Sequence, residues 1–262
     1  MRVVPLGSGS RGNATLAEFG RAGLFGPARL LVDAGLSARE LTRRLGCIGV
    51  EPSTVDGLLL SHEHDDHARG AERFSRRYGV PLVCSRKTLE ALDRSPDHFA
   101  GWCELRCGGS QTVAGITIES FAVPHDAADP MGFVLSAEGR RFGVATDLGH
   151  ATALVVERLR GCEVLMVESN HDDRMLAEGP YPWHLKQRVS GRLGHLSNRE
   201  AAGLLRQVAG PDCRFVVLAH LSEKNNTHEL ARQSAAAAVR GNNGTLQLLV
   251  AAANGPSAPV EV

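Results

Sequence analysis

The chain has 262 residues, 43% of them hydrophobic, which is enough for one large domain with a sizeable core and excludes bulk disorder. Lysine plus arginine equals aspartate plus glutamate at 29 each, so there is no global basic field, and any polyanion must be met locally. No apolar run reaches the roughly 18 residues of a membrane span, residues 1–7 lack an export signal, and the six cysteines form no CxxC pair, which predicts an unexported, cytoplasmic, reduced protein with no membrane partner.

Residues 2–6 read as a short strand, and Gly7-Ser8-Gly9-Ser10-Arg11-Gly12-Asn13 as a loop, being too glycine-rich for helix or ladder. Those glycines either admit a phosphate to backbone N–H groups or simply turn the chain. Residues 15–19 and 30–33 are strand-like around a 20–28 connection that contains Gly and Pro. Ser37-Ala38-Arg39-Glu40 has the form of a capping box and opens a helix to about residue 45. The apolar run 57–60 is a buried strand, followed by a helix at about 71–78, a strand at 81–84 and a helix through 92 capped by Ser85.

Residues 112–113 and 116–121 form a hairpin turned at Ala114-Gly115, and 132–137 with 141–145 form another through Glu138-Gly139. A helix at 152–160 leads to an apolar strand at 164–167. Residues 173–195 show no regular pattern and read as a basic loop, with Lys186, Arg188 and Arg192 in its second half. Ser197-Asn198-Arg199-Glu200 is a second capping box, opening a helix to about 208. A strand at 215–218, a helix at 227–240 and a strand at 246–250 complete a single domain over 1–251, and the Ala/Gly/Pro-rich segment 252–262 reads as a loose tail.

The segment Ser61-His62-Glu63-His64-Asp65-Asp66-His67 directly follows the buried run 57–60, where polar side chains are normally sparse. Imidazole nitrogen and carboxylate oxygen are the ligands of Zn2+ and comparable ions. A strand-end turn that fans alternate side chains to two sides suits two metals, with His62 and His64 toward one and Asp66 and His67 toward the other. Two-metal hydrolytic sites hold their ions about 3.5–4 Å apart and activate a shared water. His125, Asp147 and His220 each fall just beyond a predicted strand. Singly, each is an ordinary turn residue; if the strands end together, all of them meet.

The HxHxDH motif at 62–67, with His125, Asp147 and His220 downstream, resembles the metallo-β-lactamase-fold hydrolases. The segments Gly7 to Asn13, Leu31-Val32-Asp33-Ala34-Gly35, Glu168-Ser169-Asn170-His171-Asp172, Gly194-His195-Leu196-Ser197-Asn198 and Leu218-Ala219-His220-Leu221-Ser222 extend the resemblance over nearly the whole chain to the YycJ/WalJ-like proteins, single-domain DNA exonucleases. It implies an α/β (α+β) fold, a four-layer αββα sandwich with metals at the open edge between the sheets. By position, His62, His64 and His125 would hold one divalent ion and Asp66, His67 and His220 the other, with Asp147 bridging; Zn2+, Mn2+ and Fe2+ all suit such ligands. Asp33 would orient a ligand from behind. The 20–28 connection is longer than usual for the family, and the large cap domain of the β-CASP nucleases is absent.

The expected activity is a phosphodiesterase or exonuclease acting on DNA, with Asp66 at its catalytic centre. His195 is the candidate for protonating the leaving oxygen, or else it buttresses the helix that follows. Lys186, Arg188 and Arg192 would clamp phosphates or form a solvated face, and Asn170 and His171 would line the cleft. The alternatives are a thioester or lactone hydrolase on the same fold, which needs a neutral acyl pocket, and a metal-bearing nucleic-acid-binding module.

Overall fold

Successive side chains of a strand face opposite sides of its sheet, and here both sides are apolar. In the first half of the chain, Val3, Leu30, Leu59 and Val83 face one cluster of buried side chains, while their neighbours Val4, Leu31, Leu58 and Leu82 face a second. In the second half, Phe133, Met166 and Val217 point into that same first cluster, and Val134, Leu165 and Val216 into a third. One apolar layer thus lies between two sheets and one lies outside each. That is why the strands read as continuous apolar runs.

The computed structural model describes residues 1–20, 26–240 and 246–262. The first sheet has the spatial order β14 (Val260–Glu261), β1 (Arg2–Gly7), β2 (Ala14–Phe19), β3 (Ala28–Val32), β4 (Gly57–Leu59), β5 (Leu82–Cys84) and β6 (Trp102–Glu104). The second has the order β13 (Gln247–Val250), β12 (Phe215–Ala219), β11 (Val164–Glu168), β10 (Arg140–Ala145), β9 (Met131–Ala137), β8 (Ile116–Ala122) and β7 (Ser110–Val113). Helices α1 (Ala38–Cys47), α3 (Ala71–Tyr78) and α4 (Arg86–Ala91) cover the outer face of the first sheet. Helices α5 (Ala153–Leu159), α8 (Asn198–Val208) and α9 (His228–Ala238) cover the second. The result is the expected four-layer αββα sandwich.

Read from β14 and from β7, both sheets run through three antiparallel pairings and then three parallel ones. Parallel neighbours end on the same side. The carboxyl ends of β3 and β4 in one sheet and of β10, β11 and β12 in the other therefore form one open edge.

Three expectations are corrected. Residues 173–195 are not a loop: they contain α6 (Asp173–Glu178), N-capped by the Asp172 carboxylate, and α7 (Trp183–Val189). Each is under two full turns, too short for apolar periodicity to be read. The segment from 252 is not a loose tail. Strand β14 pairs with β1, Val260 is buried, and the Met1 amino group donates to Val262 O at 2.7 Å; a composition that looked loose covers a sheet edge. Of the two capping boxes, Ser197–Glu200 is complete, whereas Glu40 turns from its cap to Arg43 and Arg44. Residues 21–25 of the long connection lie outside the described residues.

Arg44 joins this edge to the body of the fold. It is buried, and its guanidinium donates to Leu6 O at 2.7 Å, Ala253 O at 3.0 Å and Glu40 Oε1 at 2.7 Å. Arg44→Met should lower unfolding free energy by about 2–3 kcal/mol, measured by urea denaturation, and should speed proteolysis near residue 253.

Candidate metal centre

The turn after β4 is built against the end of β3. Asp33 Oδ1 accepts from the Ser61 amide and hydroxyl, each at 2.9 Å, and Asp33 Oδ2 lies 2.8 Å from His67 Nδ1. The Ser61 hydroxyl, its proton directed to Asp33, accepts in turn from His62 Nδ1 at 3.0 Å. One carboxylate thus fixes two imidazoles, each with Nε2 left over. Residues 65–68 form a single helical turn, α2 (Asp65–Ala68), so Asp66 and His67 project from a helix and not from an alternating turn as the sequence suggested. Gly35 permits this close packing: a Cβ there would fall 1.6 Å from Asp66 O.

The second sheet supplies the rest. His125 follows β8, Asp147 follows β10, Glu168 ends β11 and His220 follows β12. His125 Nδ1 donates to Gly194 O at 3.2 Å, which turns its Nε2 inward to 3.3 Å from His64 Nδ1. Asp147 lies 3.1 Å from His67 Nε2, 3.3 Å from His220 Nδ1 and 4.0 Å from His125 Nε2. His220 Nε2 is 3.2 Å from Asp66 Oδ2. The backbones of Asp33, Asp147 and His220 are left-handed, with φ of 61°, 56° and 55°. Non-glycine residues adopt that conformation where surrounding structure enforces it.

All seven residues expected to hold metal are therefore brought together. His62, His64 and His125 can offer donor atoms within 4.8 Å of one another, as can Asp66, His67 and His220, and also His62, His67 and Asp147. The chemistry of this set fits cations. His62 Nε2 is buried without a hydrogen-bond partner, a costly arrangement for an acceptor. Burial pushes the His62 pKa well below its ordinary value, which keeps that nitrogen free. Burial also opposes charge on His67, yet Asp147 and Asp33 outweigh it and raise its pKa well above the usual range. The same contest, with Asp147, Asp66 and Glu168 on the winning side, lifts His220 to about 10. This pocket of buried carboxylates selects for positive charge.

Glu168 is a functional residue to which the sequence reading gives no role; its place at a strand end, like the others, is the signal that marks it. Fully buried, its Oε1 lies 2.8 Å from both His195 Nδ1 and His220 Nδ1, and its Oε2 accepts from the Leu148 and Leu196 amides. Burial pushes its pKa up, but His195 and His220 prevail and hold it at about 2. Asn13 was also missed: its amide nitrogen lies 3.0 Å from His67 Nε2 and 3.4 Å from Asp66 Oδ2. Ser8 Oγ accepts from the His220 amide at 2.7 Å. The glycine-rich loop thus positions ligands by contact.

A cleft of about 300 Å3 opens over the cluster, lined by His64, Asp66, His125, Asp147, His195 and His220, with Asn170 and Arg188. The other expected substrate contacts do not line it. Arg188 and Lys186 lie on opposite faces of α7, and Lys186 donates to Ala177 O at 2.7 Å. His171 lines a separate cavity, and the exposed Arg192 is absent from the cleft wall. Lys186 and Arg188 are both expected to clamp phosphates, but helix α7 turns them to different faces, and only Arg188 reaches the cleft. Arg188 itself is paired with Asp126 at 2.7 Å.

Residues 28–221 match the beta-lactamase superfamily domain, so the chain belongs to the β-lactamase superfamily. It is 34% identical to the exodeoxyribonuclease WalJ of Streptococcus pneumoniae, covering 87% of this chain and 84% of that protein. It is 35% identical to the exodeoxyribonuclease YycJ of Bacillus anthracis, over 79% of each. The metallo-β-lactamase fold protein YhfI of Bacillus subtilis covers 98% of this chain and 100% of its own at a TM-score of 0.74 and 15% identity, a likeness of fold. Family membership and the His/Asp cluster together imply divalent metal binding. No helix among the described residues is long and apolar enough to cross a membrane.

Glu168→Gln removes the negative charge behind two imidazoles while keeping their spacing. Metal affinity should fall about 10–100-fold, read by competition with a chromophoric chelator.

Proposed function

We propose that the chain is a metal-dependent exonuclease of DNA, in which His62, His64 and His125 hold one divalent ion, Asp66, His67 and His220 hold a second, and Asp147 stands between them. Zn2+ or Mn2+ is the expected metal, with Fe2+ as the alternative for the same ligands. The observation that carries this reading is the meeting of those seven side chains beneath an open cleft, in a chain similar to two exodeoxyribonucleases over most of its length. Its free cysteines fit a cytoplasmic location.

Divalent ions bound there would supply Lewis-acid stabilisation of phosphoryl charge and would lower the pKa of water toward neutrality. The protein supplies the geometry and the proton. His195 Nδ1 is held by Glu168 at 2.8 Å, which leaves Nε2 as the ring's free position. Although burial opposes its charge, Glu168 raises its pKa, so the ring keeps a proton to give to a departing alkoxide. Arg188 lies at the cleft wall in its pair with Asp126, from which an incoming phosphate can draw it.

Two predictions follow from these roles. Chelation, Asp66→Ala and His67→Ala should each abolish release of nucleotides from end-labelled DNA without loss of secondary structure; full turnover in either variant would refute the assignment. A thioester and lactone panel run beside it separates acyl hydrolysis from phosphodiester hydrolysis. His195→Ala should slow oligonucleotide cleavage about 10²–10⁴-fold. It should slow hydrolysis of a nucleotide p-nitrophenyl ester far less, because that leaving group departs without a proton.

A further inference from the structure

Helix α7 stands between two spaces. Leu185, Arg188 and Val189 face the metal cleft, while Trp183, Lys186 and Ser190 face a cavity of about 170 Å3 on the other side. The spaces are also adjacent along the chain, since Asn170 lines the cleft and His171 lines the cavity.

Two observations point to a ligand there. Trp183 is 72% exposed, so the core does not account for it. His171 is only 2% exposed yet lines the cavity, so its imidazole is a fixed part of the wall. The remaining wall is close to neutral. Leu176 is buried beside the cavity, Asp173 is paired with Arg199 at 3.2 Å, and Lys186 donates to a backbone carbonyl. A phosphate would find a single ammonium, Lys186, already engaged with Ala177 O. A flat heteroaromatic ring finds the Trp183 face beside an imidazole wall, in a volume of several waters at about 30 Å3 each.

We propose that this cavity is a nucleobase subsite, in which a base of single-stranded DNA stacks on Trp183 while a nearby phosphodiester of the same strand lies in the cleft across α7. The proposal rests on the nuclease reading, and it adds a preference: the base must be unpaired to enter, so frayed or single-stranded ends are taken in favour of blunt duplex ends. The helix that separates the two spaces is about 10–12 Å across, a distance an extended strand spans within a few nucleotides.

The test uses the metal-loaded full chain and a series of thymidine oligonucleotides, each carrying one abasic residue at a successive position from its end. One position should raise KM about 10-fold, the effect should vanish in Trp183→Ala, and Trp183→Phe should keep part of it. Separately, in EDTA-treated protein, the intact oligonucleotide should quench tryptophan emission, and Trp183→Phe should abolish that quenching. An active enzyme indifferent to every abasic position overturns the proposal, as does quenching that survives in Trp183→Phe or never occurs. If the protein degrades no DNA at all, the nuclease reading fails by itself, and the quenching titration still decides whether the cavity takes a base.

Discussion

The structure depends on carboxylates buried where two sheets open. Asp33, Asp147 and Glu168 are each 4% exposed or less, and each faces imidazole nitrogen. Anions so far from water persist only with positive charge or donors around them. Asp33 and Glu168 satisfy this with amide, hydroxyl and imidazole N–H groups. Asp147 is met by imidazole nitrogens turned toward it, His67 Nε2 at 3.1 Å and His220 Nδ1 at 3.3 Å. The left-handed backbones at Asp33, Asp147 and His220 are part of the same arrangement. Each costs of the order of 1–3 kcal/mol and is sustained by the packed strands behind it.

Neither sheet makes the centre alone. The first contributes Asp33 and the 61–67 turn, and the second contributes His125, Asp147, Glu168, His195 and His220. What registers the two sets is the apolar layer in which Leu59 and Val83 share a cluster with Phe133, Met166 and Val217. The repeated order of antiparallel and then parallel pairings explains why both sheets present their carboxyl ends to one edge.

Much of this was legible in the sequence because it lay in local pattern. Apolar runs marked the strands, Ser197 and Glu200 marked a helix start, and a dense HxHxDH cluster after a strand announced its chemistry. What was not legible was either short or relational. Helices α6 and α7 have too few residues to display a period, so nothing in the sequence shows that Lys186 and Arg188 occupy different faces of one helix. Strand β14 is defined by the edge it covers and not by its own Ala- and Pro-rich composition. Glu168 looked like one more acid beyond an apolar run; that it faces two histidines from later in the chain is a property of the fold.

The shared oxygen of Glu168 has a consequence for how such a centre can vary. Two imidazoles draw on one acceptor, so the hydrogen bonds compete, and a ring that swings away leaves its neighbour the whole of the negative charge. The basicity of His220 and the acidity of His195 are therefore set by one lever. Substitution at either position re-tunes the other through that oxygen, so the pair must drift together or stay fixed.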